Sequence, residues 1–294
     1  MPEGDTIFRA AAALRAWLSG RTITAARSTV GRLEIERVVG RVVRRVDTVG
    51  KNLLITFDAR NDLYDDAHDD AHDDVRDDVR DGDELVLHTH MKMTGSWHLY
   101  PVGVRWQKPA RQARVVLEAS DRIAVCFNAP IVELASPSVT KHRRSLSGLG
   151  PDILAEPLDV ARVLARACAT DASYALGELL LDQRIVCGIG NIYRCEALFL
   201  ERQHPWTRRS ALTDERLGAL VVSAARLMRA NLGTESARAQ MVGRQFGAGG
   251  SRTWVYRRTG LGCRVCGSTI VARDQGPMAR RAYWCPGCQV DAVT

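Results

Sequence analysis

Residues 263–288 read CRVCGSTIVARDQGPMARRAYWCPGC and hold two Cys-x2-Cys pairs with eighteen residues between them. This spacing is typical of a four-thiolate zinc site, because each pair offers two ligands from one tight turn and Zn2+ favours four soft ligands in a tetrahedron. Turn formers within residues 274–277 separate short runs at 268–272 and 282–284, which we expect to pair as a β-hairpin. The stretch therefore predicts a structural zinc module, against the alternative of two independent surface turns. Its four ligands are Cys263, Cys266, Cys285 and Cys288.

Four further cysteines show no motif spacing, and we expect each of them to be a small buried hydrophobe. They are Cys126, Cys168, Cys187 and Cys195. The N-terminal segment carries Glu3 and Asp5 where an export signal would carry lysine or arginine, so we expect no export and reduced thiols. No run of about 18 uninterrupted apolar residues occurs, which argues against a transmembrane helix.

Charge is strongly segregated along the chain. The formal net charge is +7, but residues 62–83 hold eleven aspartates and two arginines, so 39 basic and 23 acidic residues remain elsewhere and give +16. A charge of this size favours a polyanionic partner, with nucleic acid first and an anionic membrane surface second. Residues 65–80 repeat as DDAH, DDAH, DDVR and DDVR. Such a segment repels itself, so we expect a solvated insertion rather than a metal site at His68 and His72.

The hydrophobic pattern changes twice along the chain. Helical spacing from Ile7 to Leu18 predicts a first helix, with Asp5 or Thr6 as its cap. Short β-rich runs then predict a sandwich or barrel. Strands are expected at residues 41–49, 52–57, 84–91, 115–118, 123–127 and 131–134. A basic linker at 141–144 precedes an Ala-, Leu- and Arg-rich part, and a Gly-rich linker at 245–251 precedes the zinc module. Helices are expected at residues 172–181 and 191–201 and from 213 onward.

Three stretches outside the zinc module could carry chemistry. If Met1 is removed, Pro2 presents a secondary α-amine, which titrates near about pH 8, and Glu3 beside it could act as an acid or a base. Lys51 stands at a turn that enters an apolar strand, and residues 187–193, CGIGNIY, open a helix with N–H groups that suit a phosphate. Each also has an ordinary explanation: a plain chain terminus, a surface lysine and a common loop between helices.

Taken together, these stretches resemble the formamidopyrimidine-DNA glycosylase/endonuclease VIII family of base-excision-repair enzymes. The matching stretches occur in one order across the chain: PEGDT at 2–6, GK at 50–51, QRIVCGIGNIYRCEAL at 183–198 and YWCPGCQ at 283–289. The resemblance covers the whole chain except the acidic insertion at 62–83. It implies an α+β fold in three parts: a catalytic N-terminal β-sandwich with flanking helices (1–135), a helix-two-turn-helix DNA-binding domain (151–232) and a zinc finger (251–294).

The resemblance also implies roles for single residues. Pro2 would attack the anomeric carbon of a damaged nucleoside and form a Schiff base, and Glu3 would protonate the opening sugar ring. Lys51 would contact a phosphate and assist the first step. Asn191 would bind a backbone phosphate from its turn.

Two further assignments follow from matching the family's motifs. Arg280 lies five residues before Cys285 and matches the finger arginine that grips the phosphate beside the lesion, although Arg281 next to it could take the same place. Met93, within HMKMTG at residues 90–95, matches the wedge that fills the space left by a flipped base.

One loop departs from the formamidopyrimidine-type members, which carry an Arg-x-Phe-like pair after the strand at 123–127. Here residues 128–132 read NAPIV, and the N-terminus reads PEGDT rather than PELPE. Both differences favour the endonuclease VIII branch, and hence a bifunctional DNA glycosylase/AP lyase that removes mainly oxidised pyrimidines and cleaves by β,δ-elimination. The alternatives are an 8-oxoguanine-type glycosylase and a non-catalytic zinc-ribbon nucleic-acid-binding protein. The start Pro2-Glu3 argues against the latter, because a binding module has no use for a free N-terminal proline.

The expected partners follow from the same resemblance. We expect a monomer that acts on damaged double-stranded DNA in the cytoplasm, at the nucleoid when bound. One structural Zn2+ per chain and no membrane contact are expected.

Overall fold

The computed structural model describes residues 2–59, 84–232 and 253–290. Met1, the acidic repeat at 65–80 and the Gly-rich linker at 245–251 lie outside the described residues. The chain forms two compact units, one of Met1–Pro2 and Ala10–Ser147 and the other of Glu3–Arg9 and Gly148–Thr294. The boundaries at 1–135, 151–232 and 251–294 stay predictions.

Two four-stranded antiparallel sheets form the first unit, with strand orders β1-β6-β7-β5 and β2-β3-β4-β8. Their strands are β1 Ala25–Ser28, β2 Val43–Val49, β3 Asn52–Phe57, β4 Leu85–His90, β5 Ser96–Pro101, β6 Ala113–Ala119, β7 Arg122–Phe127 and β8 Ile131–Ala135. A hydrogen bond from Trp97 Nε1 to Thr89 Oγ1 (3.1 Å) links β5 of one sheet to β4 of the other. The predicted sandwich with flanking helices is confirmed.

Alternation along the strands sends successive side chains to opposite faces of each sheet. Leu53, Ile55 and Phe57 are fully buried on β3, and each such side chain contributes about 1.5–3 kcal/mol to stability. The six predicted strands all exist. Two strands, β1 and β5, were not predicted.

Seven helices lie in the described part of the chain. They are α1 Gly4–Leu18, α2 Pro137–His142, α3 Arg144–Ser147, α4 Val160–Cys168, α5 Leu176–Leu179, α6 Asn191–Leu200 and α7 Asp214–Ala230. In the second unit α6 is central, because every residue from 191 to 199 is buried. Such a helix needs neighbours on all sides. In the residues that the structure covers, no helix is long and apolar enough to cross a membrane.

Four local predictions were wrong. The predicted helix at 172–181 reduces to α5, because Asp171 bonds the backbone of Ser173 (2.8 Å) and Ala175 is extended. The predicted basic linker at 141–144 is instead helical, in α2 and α3. Cys168 is exposed, whereas the other three unpatterned cysteines are buried. Helix α1 begins at Gly4, so neither Asp5 nor Thr6 is its cap.

The C-terminal hairpin pairs β9 Val271–Gln275 with β10 Arg280–Trp284 in antiparallel register. The predicted hairpin is confirmed, but its strands are longer than the runs at 268–272 and 282–284. Asp274 lies in β9 opposite Arg281 rather than in the turn.

Candidate active site and metal centre

The Glu3 carboxylate sits on the N-terminus of α6. Its oxygens accept N–H bonds from Gly190 (3.1 Å), Ile192 (2.9 Å) and Tyr193 (3.4 Å), and the side chain is fully buried. The first N–H groups of a helix have no partner within the helix and stabilise negative charge. The three N–H bonds therefore fix the position of the Glu3 carboxyl group and favour its anionic form.

Glycine is required in the loop before α6. A Cβ at Gly190 would lie 2.4 Å from the Glu3 carboxyl carbon, and Gly188 adopts a φ of +104°. The Gly188 carbonyl accepts the Gly4 N–H at 2.9 Å. The glycines of this loop thus allow the chain start to approach the helix closely.

A second buried carboxylate supports the same helix start. Asp5 Oδ2 accepts a hydrogen bond from the Tyr193 hydroxyl at 2.7 Å and lies 3.7 Å from Arg9 Nη2. Asp5 is fully buried, so its charge is compensated by these two donors. The bond between Asp5 and Tyr193 holds the first turn of α1 against α6.

The predicted DNA-contacting residues of the hairpin lie beside α6. Asn191 Nδ2 donates to the Arg281 carbonyl at 2.9 Å, and the buried Asn191 Oδ1 has no hydrogen-bond partner. Buried Arg194 donates to Gln275 Oε1 (3.2 Å) and to the Arg280 carbonyl (3.3 Å). These bonds orient β10, whose Arg280 side chain is half-buried and whose Arg281 side chain is exposed.

The four predicted zinc ligands form one cluster. All four Sγ atoms lie within 4.8 Å of one another, with 3.8 Å from Cys263 to Cys288 and 3.4 Å from Cys266 to Cys285. Zinc–sulfur distances near 2.3 Å in a tetrahedron place sulfurs about 3.8 Å apart. The cluster therefore fits a tetrahedral metal ion such as Zn2+.

Lys51 lies in the two-residue turn between β2 and β3. Val49 pairs with Asn52 across the turn, and Gly50 has a φ of +59°. A glycine in the first turn position is what a tight type II′ hairpin requires. Lys51 is half-buried there, and Asn52 behind it is 3% exposed.

Met93 lies at the tip of the turn that joins β4 to β5 and is 56% exposed. The Gly95 N–H closes this turn on the Met91 carbonyl at 2.8 Å, and Lys92 has a φ of +42°. A large apolar side chain exposed on a rigid turn is suited to insertion into an apolar or stacked surface. The His90 ring beside it accepts the Lys92 N–H, and burial lowers the pKa of His90 to about 4.

The connection from β7 to β8 contains three residues, 128–130. Asn128 turns back on Gln112 through its N–H (2.9 Å) and its side-chain amide (3.1 Å), and Ala129 is buried. No long side chain projects from this connection.

Comparison with known proteins identifies the family. The formamidopyrimidine-DNA glycosylase N-terminal domain matches residues 1–130, and the formamidopyrimidine-DNA glycosylase H2TH domain matches residues 149–241. "Probable endonuclease 8 2" of Streptomyces coelicolor is 35% identical over 98% of this chain and 94% of its own length. The chain belongs to the formamidopyrimidine-DNA glycosylase/endonuclease VIII family.

Other relatives agree with this assignment. "DNA-(apurinic or apyrimidinic site) lyase Nei2" of Mycolicibacterium smegmatis is 33% identical to this glycosylase over 98% of the chain and 99% of its own length. The Fpg of Lactococcus lactis, solved in complex with DNA containing an abasic site, shares the fold at a TM-score of 0.74 and 19% identity, covering 99% and 100% of the two chains. The chain is therefore an enzyme of the DNA glycosylase/AP lyase class.

The structure groups the predicted site residues of the glycosylase within each unit. In the second unit Glu3, Asn191, the two hairpin arginines and the four cysteines surround or follow α6. In the first unit Lys51 lies in the turn between β2 and β3, and Met93 lies in the turn that leads from β4 to β5. Pro2 is half-buried.

Sequence reasoning missed several polar residues that hold this site of the glycosylase. Glu196 is buried on α6 and accepts N–H bonds from Trp254 (2.6 Å), Val255 (3.1 Å) and Tyr256 (2.9 Å), and burial raises the pKa of its carboxyl. Arg194 and Gln275 were also missed. A charged residue within an apolar helix was the available signal, because a buried charge requires partners.

Removing one cysteine ligand of the glycosylase tests the metal centre. We expect Cys285→Ser to lose bound zinc and to bind lesion DNA at least tenfold more weakly, because a structural zinc site supplies most of a small module's folding energy, about 10–16 kcal/mol in isolated fingers. Zinc content per chain by elemental analysis is the measurement. Cys168→Ser is the matched control, since Cys168 lies outside the cluster. One zinc per chain in Cys285→Ser would contradict the assignment.

Proposed function

We propose that this glycosylase removes oxidised pyrimidines from double-stranded DNA and cleaves the resulting abasic site by β,δ-elimination through a Schiff base at Pro2. Its partners would be damaged duplex DNA and one structural Zn2+, and it would act as a monomer. The proposal combines the family assignment with the contacts of Glu3 and the shape of one loop.

The observation that supports covalent catalysis is the environment of the Glu3 carboxyl group. Three backbone N–H groups hold its carboxylate, and Pro2 is one peptide bond away. After removal of Met1, the residue with the secondary amine would therefore directly precede a residue whose carboxyl group is buried and fixed. A nucleophile with an adjacent base is the arrangement that covalent catalysis requires.

The proton path follows from the anionic state of Glu3. As the Pro2 nitrogen bonds to the anomeric carbon, the base departs with the electron pair of the glycosidic bond and takes a proton from solvent, while the nitrogen gives its own proton to Glu3. Glu3 passes that proton to the ring oxygen when the sugar C–O bond opens, which leaves the positively charged Schiff base. This cation acidifies C2′, and loss of the C2′ proton expels the 3′ phosphate. In the conjugated Schiff base that results, loss of the C4′ proton expels the 5′ phosphate, and water then hydrolyses the Schiff base and frees Pro2.

The remaining residues would bind the DNA backbone and fill the space that the flipped base leaves in the duplex. Lys51 would contact a phosphate and assist the first step, and Arg280, or Arg281, would grip the phosphate beside the lesion. Met93 would fill the space of the flipped base. Asn191 would bind a phosphate through the second N–H of Nδ2, since the first is donated to the Arg281 carbonyl.

The short β7–β8 connection supports the pyrimidine preference. Its three residues hold no arginine or aromatic side chain, and Asn128 and Ala129 are engaged with the sheet. The loop therefore has no guanidinium to bond a cytosine opposite the lesion, a contact worth roughly 1–3 kcal/mol. Selection then depends on how easily a base is extruded, which favours non-planar, poorly stacked pyrimidines.

A lesion panel tests this preference. We expect faster single-turnover excision of thymine glycol and dihydrouracil than of 8-oxoguanine opposite cytosine, by about one to two powers of ten. Both ends of the cleaved strand should carry phosphate. Faster excision of 8-oxoguanine than of either pyrimidine would assign the chain to the formamidopyrimidine branch instead.

A further inference from the structure

A chain of buried polar side chains runs from the Lys51 turn into the sheet. Asn52 closes the turn by donating from Nδ2 to the Val49 carbonyl at 3.0 Å. The Asn52 Oδ1 lies 2.9 Å from His88 Nε2, and the His88 Nδ1 lies 3.2 Å from Glu133 Oε2. Asn52 is 3% exposed and His88 is 1% exposed.

The strand register brings these three residues onto one face of the sheet. His88 of β4 stands directly opposite Glu133 of β8. Asn52 of β3 stands opposite His90, and is therefore diagonal to His88. Side chains in these positions are close enough for direct contact.

The directions of the two hydrogen bonds of Asn52 follow from the Val49 carbonyl. This carbonyl can only accept, so Asn52 must present its Nδ2 to it and its Oδ1 to His88. The Oδ1 also can only accept, so His88 Nε2 carries a proton and donates. If the Asn52 amide were reversed, its Oδ1 would face the Val49 carbonyl oxygen, and both atoms are acceptors. Only one orientation of the amide is therefore compatible with its surroundings.

At the outer end of this series of polar contacts, the Glu133 carboxylate lies near a positive charge. Glu133 lies 3.9 Å from Arg143 Nε at the end of α2, and its side chain is 33% exposed. Burial lowers the pKa of His88, whereas the hydrogen bond to Glu133 opposes that effect. Because Nε2 donates to Asn52, Nδ1 can donate to the Glu133 carboxylate only when the His88 ring carries a proton on both nitrogens, whereas the neutral ring keeps the bond to Asn52.

We infer that Asn52 and His88 are positioning residues that hold the Gly50–Lys51 turn in place for the action of Lys51, with Glu133 as their outer anchor. This inference rests on the proposed role of Lys51. A two-residue turn with glycine has conformational freedom, and a misplacement of about 1 Å at a reacting group can cost on the order of 100-fold in rate. Asn52, directly after the turn, bonds the Val49 carbonyl directly before it, and His88 holds Asn52 from within the sheet. These two buried bonds remove that freedom.

Three replacements of His88 separate this role from packing. His88→Leu removes both hydrogen bonds, whereas the amide of His88→Gln can donate from the position of Nε2, and that of His88→Asn reaches only the position of Nδ1. In single-turnover borohydride trapping on duplex DNA with one abasic site, we expect Leu and Asn to slow trapping about ten- to a hundredfold. We expect Gln to stay within a few-fold of wild type.

A measurement of DNA affinity and a control variant show whether slower trapping reflects the position of Lys51 rather than weaker binding or altered packing. Affinity for duplex DNA containing tetrahydrofuran, a stable abasic analogue, should change by no more than a few-fold in all three variants. His98→Leu is the matched control: His98 is a partly buried β5 histidine whose ring bonds Ser96 (3.0 Å) and the Tyr100 hydroxyl (3.0 Å), outside this chain of contacts. It should trap at the wild-type rate.

A double-mutant cycle with Lys51→Ala decides whether His88 acts through Lys51. If it does, His88→Leu should slow wild type but add nothing to Lys51→Ala. Equal slowing in both backgrounds, or wild-type trapping by His88→Leu, would overturn the positioning role. Wild-type trapping by Lys51→Ala itself would instead overturn the proposed role of Lys51, so the two failures are distinguishable.

Discussion

Replacement of Pro2 by glycine is expected to nearly abolish borohydride trapping on abasic DNA, with a loss on the order of 100-fold or more. A secondary amine yields a Schiff base that carries a permanent positive charge, whereas a primary amine yields a neutral imine that must first be protonated. The charged form is the better electron sink for elimination. Trapping should be followed by the covalent protein–DNA band in a denaturing gel.

Two controls accompany the Pro2→Gly variant. Mass spectrometry of the mature protein must show that Met1 is absent from both proteins, because a retained Met1 would block the amine. Affinity for tetrahydrofuran DNA should be largely unchanged, since Pro2 acts after binding. Undiminished trapping by Pro2→Gly would exclude Pro2 as the nucleophile.

Replacement of Glu3 by glutamine should cost base excision about 10²- to 10⁴-fold, the usual contribution of a general acid–base group. The amide presents one acceptor and two donors to three N–H groups, and it cannot carry a proton from Pro2 to the ring oxygen. Trapping on a preformed abasic site should fall much less, because that sugar can open without a departing base. The measurements are single-turnover excision of thymine glycol and trapping on abasic DNA.

The matched control for Glu3 is Glu196 of α6, the helix whose first N–H groups bind the Glu3 carboxylate. Glu196 is likewise fully buried and accepts three backbone N–H bonds, but those come from residues 254–256, at the start of the segment that leads into the hairpin. Glu196→Gln should lower the free energy of unfolding without a selective loss of excision in the folded protein. Equal loss of excision in both variants would show that Glu3 has only a structural role.

Local patterns were sufficient for much of the fold. The spacing of Cys263, Cys266, Cys285 and Cys288 predicted the cluster because two tight turns and one hairpin are short-range features. The run at 52–57 predicted β3 because its Ile, Thr and Phe side chains are of the types enriched in strands. Residue order alone carried the family resemblance, from Pro2-Glu3 to the final cysteines.

Local patterns failed where the backbone found distant partners. Residues 172–175 have the composition of a helix, yet the N–H groups of Leu176 and Gly177 bond the carbonyls of Thr207 and Pro205, both at 2.9 Å. Propensity differences of less than about 1 kcal/mol per residue are readily outweighed by such tertiary bonds. Helix α5 is short for this reason.

The sequence by itself determined the groups that we propose to be reactive or metal-binding, namely a proline amine, a neighbouring carboxyl, a turn lysine and four thiols. Only the tertiary structure decided what surrounds them. The Glu3 carboxylate and the Gly190 N–H that binds it are 187 positions apart, and Asn52 and His88 are 36 apart. Periodicity reports which face of an element is buried, but the partner of a buried polar atom depends on which distant segment the packed core brings against it.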